Sequence, residues 1–400
     1  MPKSINDFLD QEQIDSIRQP IESALTLPSE AFTSEAFYQL EIEKIYKKHW
    51  VAALFDTEVA KPGDIRPFEV CEIPLLAVRG QDNEVRVFHN ICPYDGSPAA
   101  IDPAEACAQI ATPYHGWTYD LTGKLIKMPF WDGTREGNLE VLSGKEVDLI
   151  EVACGVFLNT IFVNLSDKPE AFEDYIAPVI QTLNEYDIES SVAGLDQDGE
   201  TFISEGSVNT NWKTFFENAC INVLHENYVH AFYNASPQLP RIEKDGVPSF
   251  KNCINGKLMA LNYDREYFEE TYGSFEAPHL GKDPEVEPKT ENFGTLYPNF
   301  YISASSKFLE VAYALPNGPA NTQQRAIYHY HKDLALSPEV HDQRKAISDA
   351  FTEAFNEDGR VTEALQKAKK SPVYKQKFYA PFWDEMHHHF SNVIVDDPER

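Results

Sequence analysis

The sequence predicts an α+β protein, an N-terminal arm followed by two domains, and three observations carry that prediction. The first fifty residues place apolar side chains at helical spacing, residues 51–164 break into short β-rich runs divided by turn residues, and residues 165–400 alternate helical and strand patterns. With 42% hydrophobic and 24% charged residues in 400, the composition is that of an ordinary globular chain, with enough apolar material for a sizeable core.

The arm, residues 1–50, reads as helices packed on the body. Ile5, Phe8, Leu9, Ile14 and Ile17 mark one from Ile5 to Gln19, stopped by Pro20, and Phe37, Leu40, Ile45 and Tyr46 mark another from Ser34 to Trp50. In residues 51–164 the stretches KPGD at 61–64, QDNE at 81–84 and LTGK at 121–124 imply a small antiparallel β-domain. Residues 165–400 are predicted to hold a helix over Asp167–Leu183 and strands near Thr201–Gly206, Leu258–Asn262, Asn299–Ser305 and Arg325–Tyr330. Two further helices are predicted over Glu339–Asn356 and Gly359–Lys370. No repeat or low-complexity linker intervenes, so the domains are expected to be packed rather than strung.

A formal net charge of −30 opposes binding to nucleic acid or to an anionic membrane surface, both of which need clustered Lys and Arg. Six cysteines, at 71, 92, 107, 154, 220 and 253, are too dispersed for a secreted disulfide scaffold and point to a reducing compartment. No basic and apolar leader opens the chain and no run of about 18 apolar residues occurs, so the expectation is a cytoplasmic protein with no membrane partner.

Chemistry concentrates in Asn211–His230, NWKTFFENACINVLHENYVH. His225 and His230 stand five positions apart, about 1.4 helical turns, and converge if the helix loosens between them. Two imidazoles and a carboxylate on one face of a metal suit Fe(II) with positions open for O2 and substrate, and Asp358, in FNEDGRVTEALQ, is the best distant carboxylate. Elsewhere, His387-His388-His389 reads as a solvated helix face. Tyr228, Phe232, Phe300 and Tyr301 are candidates to line a substrate pocket. No Gly-rich dinucleotide loop follows a strand, which leaves any flavin or nicotinamide to a separate reductase.

Several separated segments now fall into one order: LPSEAFTSEAFYQLEIEKIYKKHW, PYHGWTYDLTGKL, NWKTFFEN, LYPNFYI, EDGRVTEALQ and EMHHHFSNVI. Through them the chain resembles, nearly end to end, the α-subunits of Rieske non-haem iron ring-hydroxylating and demethylating oxygenases. The likeness is greatest to the branch with glycine betaine and quaternary-amine monooxygenases. The resemblance implies a Rieske-like β-domain over 51–164 and a helix-grip catalytic domain over 165–400. It also implies a trimer in which a [2Fe–2S] cluster passes electrons to the iron of a neighbouring subunit. By it, His225, His230 and Asp358 are the iron ligands, and Glu217 and Asn218 support the histidines.

The family's cluster pattern is Cys-x-His, a spacer, then Cys-x-x-His, two thiolates on one iron and two imidazoles on the other. The corresponding positions here are Cys92, Tyr94, Thr112 and His115, so the spacing is kept while each iron loses one ligand. His89 and Cys107 lie near in sequence but outside the two ligand-bearing turns. The acid that bridges cluster to iron in the family is Asn222 here, which hydrogen-bonds but carries no charge. All three departures concern electron delivery, and the residues kept concern iron, O2 and substrate. The expectation is therefore one Fe(II) and no [2Fe–2S] cluster in a homo- or hetero-trimer. Electrons for O2-dependent hydroxylation or dealkylation of a small molecule would come from an intact Rieske partner subunit, a separate reductase or ferredoxin, or another external reductant. The alternative is a non-catalytic structural or regulatory subunit of a hetero-oligomer.

Overall fold

The computed structural model describes residues 4–219, 221, 224–230, 250–264 and 278–397. They divide into two compact units, one formed by residues 1–47 with 173–400 and the other by residues 48–172.

The first predicted helix is split into a 3-10 turn, Ile5–Asp7, and α1, Gln11–Ile17. Asp10 is the cause: its Oδ1 accepts from the Gln13 amide at 2.8 Å while Gln13 Oε1 accepts from the Asp10 amide at 3.0 Å, a reciprocal cap that opens a new helix. After α2, Glu30–Thr33, Ser34 caps α3, Glu35–Glu41, which widens into a π-turn over Ile42–Tyr46 and stops short of Trp50. Trp50 belongs to the other unit, where its indole donates to the Glu170 carbonyl at 3.0 Å and its ring meets Phe172.

In the unit of residues 48–172, the strands are β1 Val51–Phe55, β2 Ile65–Val70, β3 Ile73–Arg79, β4 Val85–His89, β5 Ile110–Ala111, β6 Thr118–Tyr119, β7 Leu125–Lys127, β8 Glu151–Phe157 and β9 Thr160–Asn164. Among the described residues they form a six-stranded antiparallel sheet ordered β1-β9-β8-β4-β3-β2 and a small sheet β5-β6-β7. Leu76, Val78 and Phe88 of the larger sheet share one core with Ile110, Trp117, Tyr119 and Leu125 of the smaller. The LTGK turn needs its glycine for this packing. Gly123 has φ +82, and a Cβ there would lie 2.5 Å from the Phe88 ring.

The other unit continues with α4 Phe172–Thr182, whose first residue lies at the unit boundary, then β10 Ser191–Ala193, β11 Ile203–Val208, α5 Trp212–Ala219 and α6 Glu226–Val229. Next come β12 Phe250–Asn255, β13 Leu258–Asp264, β14 Thr290–Leu296, β15 Phe300–Ala304, β16 Phe308–Pro316 and β17 Thr322–His331. The chain closes with α7 Lys332–Ala335, α8 His341–Lys369 and α9 Glu385–Asp396. The strands run β10-β17-β16-β15-β14-β13-β12, with β11 also paired to β17. The two helices predicted over 339–370 are one 29-residue helix, α8, running through Gly359. A mid-helix glycine costs only about 1 kcal/mol, and packing of α8 over the sheet outweighs it. The Gly359 position faces Val208 closely enough that a Cβ would stand 3.6 Å from it.

Registers fix which side chains share the sheet face under α8. Tyr301 stands opposite Thr295 and Ala312, Ser303 opposite Phe293 and Glu310, and Glu310 opposite Tyr328. Phe351 of α8 packs at 5.8 Å on both Phe308 and Tyr328, and Phe355 at 6.2 Å on Phe215 of α5.

Candidate metal centre

Two elements of the second unit bring the candidate ligands together. The helix does not loosen between the histidines as expected: α5 ends at Ala219, ahead of both, and His225 opens the four-residue α6, its carbonyl accepting from the amides of Tyr228 and Val229, so a helical turn separates His225 from His230. His230 follows α6 directly, and the two imidazole centroids lie 5.4 Å apart. Asp358, from the middle of α8, sets Oδ1 at 3.4 Å from His225 Nε2 and 3.6 Å from His230 Nε2. One ligand atom from each of the three residues lies within 4.8 Å of the others.

Metal ligands at about 2.1 Å and right angles stand about 3 Å apart, so this set needs only a small contraction to hold an ion. Two further observations fit a metal. Asp358 Oδ1 is buried and accepts no hydrogen bond, although a buried carboxylate oxygen normally finds a donor. His230 Nδ1 stands 3.0 Å from Glu357 Oε2, an arrangement that keeps the proton on Nδ1 and leaves the Nε2 lone pair facing Asp358.

Buried charge fixes the helices that carry these ligands. Glu41 and Lys213 are both fully buried and meet at 2.5 Å, and the Trp212 indole donates to the same carboxylate at 3.0 Å. Burial pushes the Glu41 carboxyl up and the Lys213 ammonium down, each against the pull of its partner. Lys369, near the end of α8, donates to Thr214 at 2.6 Å and Glu217 at 3.1 Å and lies over the Phe32 ring. Although burial alone would raise Glu217, the charges of Lys369 and His387 bring it down to about 2. The arm, α5, α8 and α9 are thus tied into one network behind the site.

That network corrects two expectations. Glu217 is committed to Lys369 and to His387, 3.3 Å away, rather than to the iron histidines. The histidine run is no solvated face: His388 Nε2 lies 3.0 Å from the Ile17 carbonyl and His389 Nε2 3.0 Å from that of Gly256. Asn218 is buried on α5.

Among the pocket candidates, Tyr301 faces inward, with Phe215, Phe216 and Phe293 around its ring. Phe300 does not, because adjacent strand residues point to opposite faces; it is buried on the far side opposite Tyr313. Tyr228 is 73% exposed, since the single turn of α6 turns it outward. Phe232 and Asn222 lie outside the described residues. Sequence reading missed Glu310, because β16 reads FLEVAYALP without clear alternation; its partner Tyr328 lies within the strand expected near Arg325–Tyr330. A cavity of about 460 Å3 opens between Phe202, Tyr328 and Tyr330 and the first turns of α8; the three proposed ligands do not line it.

In the unit of residues 48–172, both cluster-type loops are folded. The Cys92 amide donates to the Ser97 carbonyl at 2.7 Å and the Thr112 amide to the Trp117 carbonyl at 2.8 Å, each closing a tight turn. The four side chains have other occupations. Cys92 is buried with Sγ 3.3 Å from the Tyr119 hydroxyl, and His115 Nδ1 lies 2.6 Å from Asp95 Oδ2. Tyr94 stacks on Trp117 at 4.8 Å and meets Trp131 edge-on at 5.0 Å, while Thr112 is buried with its hydroxyl unbonded. Cys107 is held at the Gly63 turn, its amide donating to the Gly63 carbonyl, and His89 ends β4, so neither sits on these loops.

Residues 184–397 match the family described as the ring hydroxylating alpha subunit catalytic domain, and residues 49–138 match the Rieske [2Fe–2S] domain. The chain belongs to the ring-hydroxylating alpha-subunit family. Among curated relatives of this alpha subunit, the glycine betaine monooxygenase oxygenase subunit of Pseudomonas aeruginosa is 27% identical over 195 residues, 49% of this chain and 42% of that protein. The alpha subunit thus aligns with less than half the length of that relative. Chloroplastic choline monooxygenase of Beta vulgaris is 23% identical over 93% of this chain and 76% of its own, and the carnitine monooxygenase oxygenase subunit of Acinetobacter baumannii is 23% identical over 88% and 87%. Two solved structures share the alpha-subunit fold. A quaternary ammonium Rieske monooxygenase bound to L-carnitine has a TM-score of 0.72 at 18% identity, covering 96% of this chain and 98% of its own. Naphthalene 1,2-dioxygenase from Rhodococcus has 0.69 at 16% identity, covering 97% of each. No helix among the described residues is long and apolar enough to cross a membrane.

Proposed function

We propose that this alpha subunit is an Fe(II)-dependent oxygenase component that hydroxylates or dealkylates a small organic substrate and receives its electrons from outside its own Rieske-like domain. The observation that carries the reading is the convergence of His225, His230 and Asp358 around an orphaned, buried carboxylate oxygen. When bound there, iron would supply O2 activation, with positions left open beside the three ligands. The chain's own residues do the rest. Glu357 holds the His230 ring in the tautomer that turns Nε2 inward, and α8 holds Asp358 against both histidines. Phe215 packs on Phe355, three residues before Asp358 on α8, and on Tyr301 of the sheet, which ties α5, α8 and the sheet together.

The Rieske-like loops present one cysteine and one histidine in the family's positions, where a cluster needs two thiolates and two imidazoles. Tyr94 and Thr112 offer a phenol and an alcohol, poor replacements for imidazole and thiolate. The electron source is therefore an intact Rieske alpha subunit in a mixed oligomer, or a small reductase or ferredoxin. A second reading, a non-catalytic subunit of such an oligomer, is favoured by exposed aromatic residues on these loops, Tyr94 and Tyr114, and in the segment after β7, Phe130 and Trp131, each 40% exposed or more.

Anaerobic purification followed by iron and sulfide analysis tests the proposal. About one iron per chain, no acid-labile sulfide, and loss of that iron in His225→Ala are the expected results. A chain that binds no Fe(II) even after reconstitution overturns the catalytic reading in favour of the second.

A further inference from the structure

Asp358 is held from both sides along α8. Beyond it, the residues that follow β11 are bonded to the helix: Thr210 Oγ1 donates to the Thr362 carbonyl at 3.2 Å, the Asn209 amide to Glu363 Oε1 at 3.1 Å and the Asn211 amide to Gln366 Oε1 at 3.1 Å. Before it, the Phe355 ring lies over Gly206 of β11, where a Cβ would stand 2.6 Å from Cε1 and 2.8 Å from Cζ. Glycine inside a strand weakens it and marks a bulge or a close approach. β11 pairs with β17 without a break from Ile203 to Val208, which leaves the close approach. The φ of Gly206 lies outside the left-handed region, so space rather than backbone strain keeps a side chain out.

Carbon atoms in ordinary contact are about 3.5–4 Å apart, so a methyl group at 206 must open this contact by about 1 Å. The ring is not free to yield: it packs at 6.2 Å on Phe215 of α5, which is itself buried against Phe216 and Tyr301. With residues 362–366 bonded to the end of β11, the remaining response is for α8 to tilt about that bonded end and lift the turn that holds Phe355. Phe355, Asp358 and Thr362 are spaced three and four apart, on one helix face, so the tilt displaces Asp358 relative to His225 and His230. Its Oδ1 lies 3.4 and 3.6 Å from their Nε2 atoms and has to draw closer around an ion, where ligand distances are met to within about 0.2 Å. Gly359, next to Asp358, offers the contrast: a Cβ there makes an ordinary contact of 3.6 Å with Val208.

We propose that Gly206 is a positioning residue of the metal centre: its bare backbone sets the height of α8 over β11 at which Asp358 meets the two histidines. The inference rests on the oxygenase reading above for the identity of the metal. Gly206 acts through Phe355, and the bonds from Asn209, Thr210 and Asn211 supply the fixed point about which that contact has leverage.

Anaerobic equilibrium titration of the full-length protein with Fe(II), alongside thermal scans of the metal-free form, tests this. Gly206→Ala is expected to lower Fe(II) affinity about tenfold or more. Gly359→Ala should keep affinity within about threefold of wild type and raise the Tm by about 2 °C, because alanine favours the helix. Adding Phe355→Leu to Gly206→Ala removes the ring edge that the new methyl group meets, so affinity returns to within about threefold of Phe355→Leu alone, a rescue that a merely destabilised fold would not give. Should Gly206→Ala not fold, Phe355→Trp presses the same contact from the helix side and is expected to lower affinity in the same way. Wild-type affinity in Gly206→Ala, or no rescue by Phe355→Leu, overturns the proposal. A wild type that holds no Fe(II) defeats the oxygenase reading instead, and Zn(II), which takes the same ligand types, then carries the same comparison of variants.

Discussion

The loops around Cys92 and Thr112 and the segment from His225 to His230 each occupy a ligand-bearing position of this family, and they have kept opposite things. The cluster-type loops are closed by their own amide-to-carbonyl bonds and backed by Trp117 and Tyr119 in a shared core, and two of their four proposed ligand positions hold Tyr94 and Thr112. The histidine segment has little regular scaffold, one short helical turn, yet all three candidate ligand side chains converge. A turn held by its own backbone bonds keeps its shape whatever side chains it presents. Buried charge ties the helices that carry the two imidazoles and the carboxylate, yet it leaves Asp358 Oδ1 buried without a donor, and an ion is the partner that atom fits.

The largest effect that would break this contrast is gain of a cluster. Tyr94→His together with Thr112→Cys restores the full ligand pattern on loops already shaped for it, so after reconstitution the double variant should take up about two sulfides per chain and give a reduced-state Rieske EPR signal. If the variant stays colourless, the loops have changed shape as well as ligands, and the contrast drawn here is wrong.

A smaller effect sharpens the other side. Glu357→Gln keeps the size of the side chain but weakens the acceptor for His230 Nδ1, and Fe(II) affinity should fall by about 10–100-fold in an equilibrium titration. An unchanged affinity would mean that the imidazole is oriented by something else.

The smallest effect concerns stability. Between the ordinary carboxyl value of 4.5 and about 8, native Glu310 holds a proton that the unfolded chain has released. Its contribution is therefore complete below the lower value and is lost as pH rises through the upper one. Glu310→Leu should remove this slope, so its Tm relative to wild type is higher at pH 8 than at pH 5 by several degrees in paired thermal scans. Equal differences at the two pH values would show that the carboxyl is ionised, and so compensated, in the native state.

Much of this was legible in the sequence, for identifiable reasons. The ligand trio could be named because residue type and family order both mark it, and the turn residues divided the β-domain correctly into short strands. The single helix α8 was read as two because Gly359 is a local signal, whereas the packing that overrides it is not local. Strands β12, β14 and β16 were missed because they carry Gly, Asn or unbroken apolar runs where alternation was sought. Phe300 was misassigned because a motif gives no register. The roles of Glu217 and the histidine run depend on Lys369 and on backbone carbonyls far away in sequence, which no local pattern announces.

The buried pair of Glu41 and Lys213 has a consequence for how the chain is made. Its acid is synthesised with the arm and its base 172 residues later, and Phe390 of α9, which packs on the neighbouring Trp212, comes later still. The β-domain between them is an insertion into a body whose first and last pieces must wait for each other. While the ribosome is still extending the chain, that insertion is the part able to mature, and the oxygenase body stays open until α8 and α9 emerge. The same architecture suits domain exchange: an intact Rieske domain grafted between residues 47 and 173 would replace the insertion without touching the charges that hold the iron-binding body together.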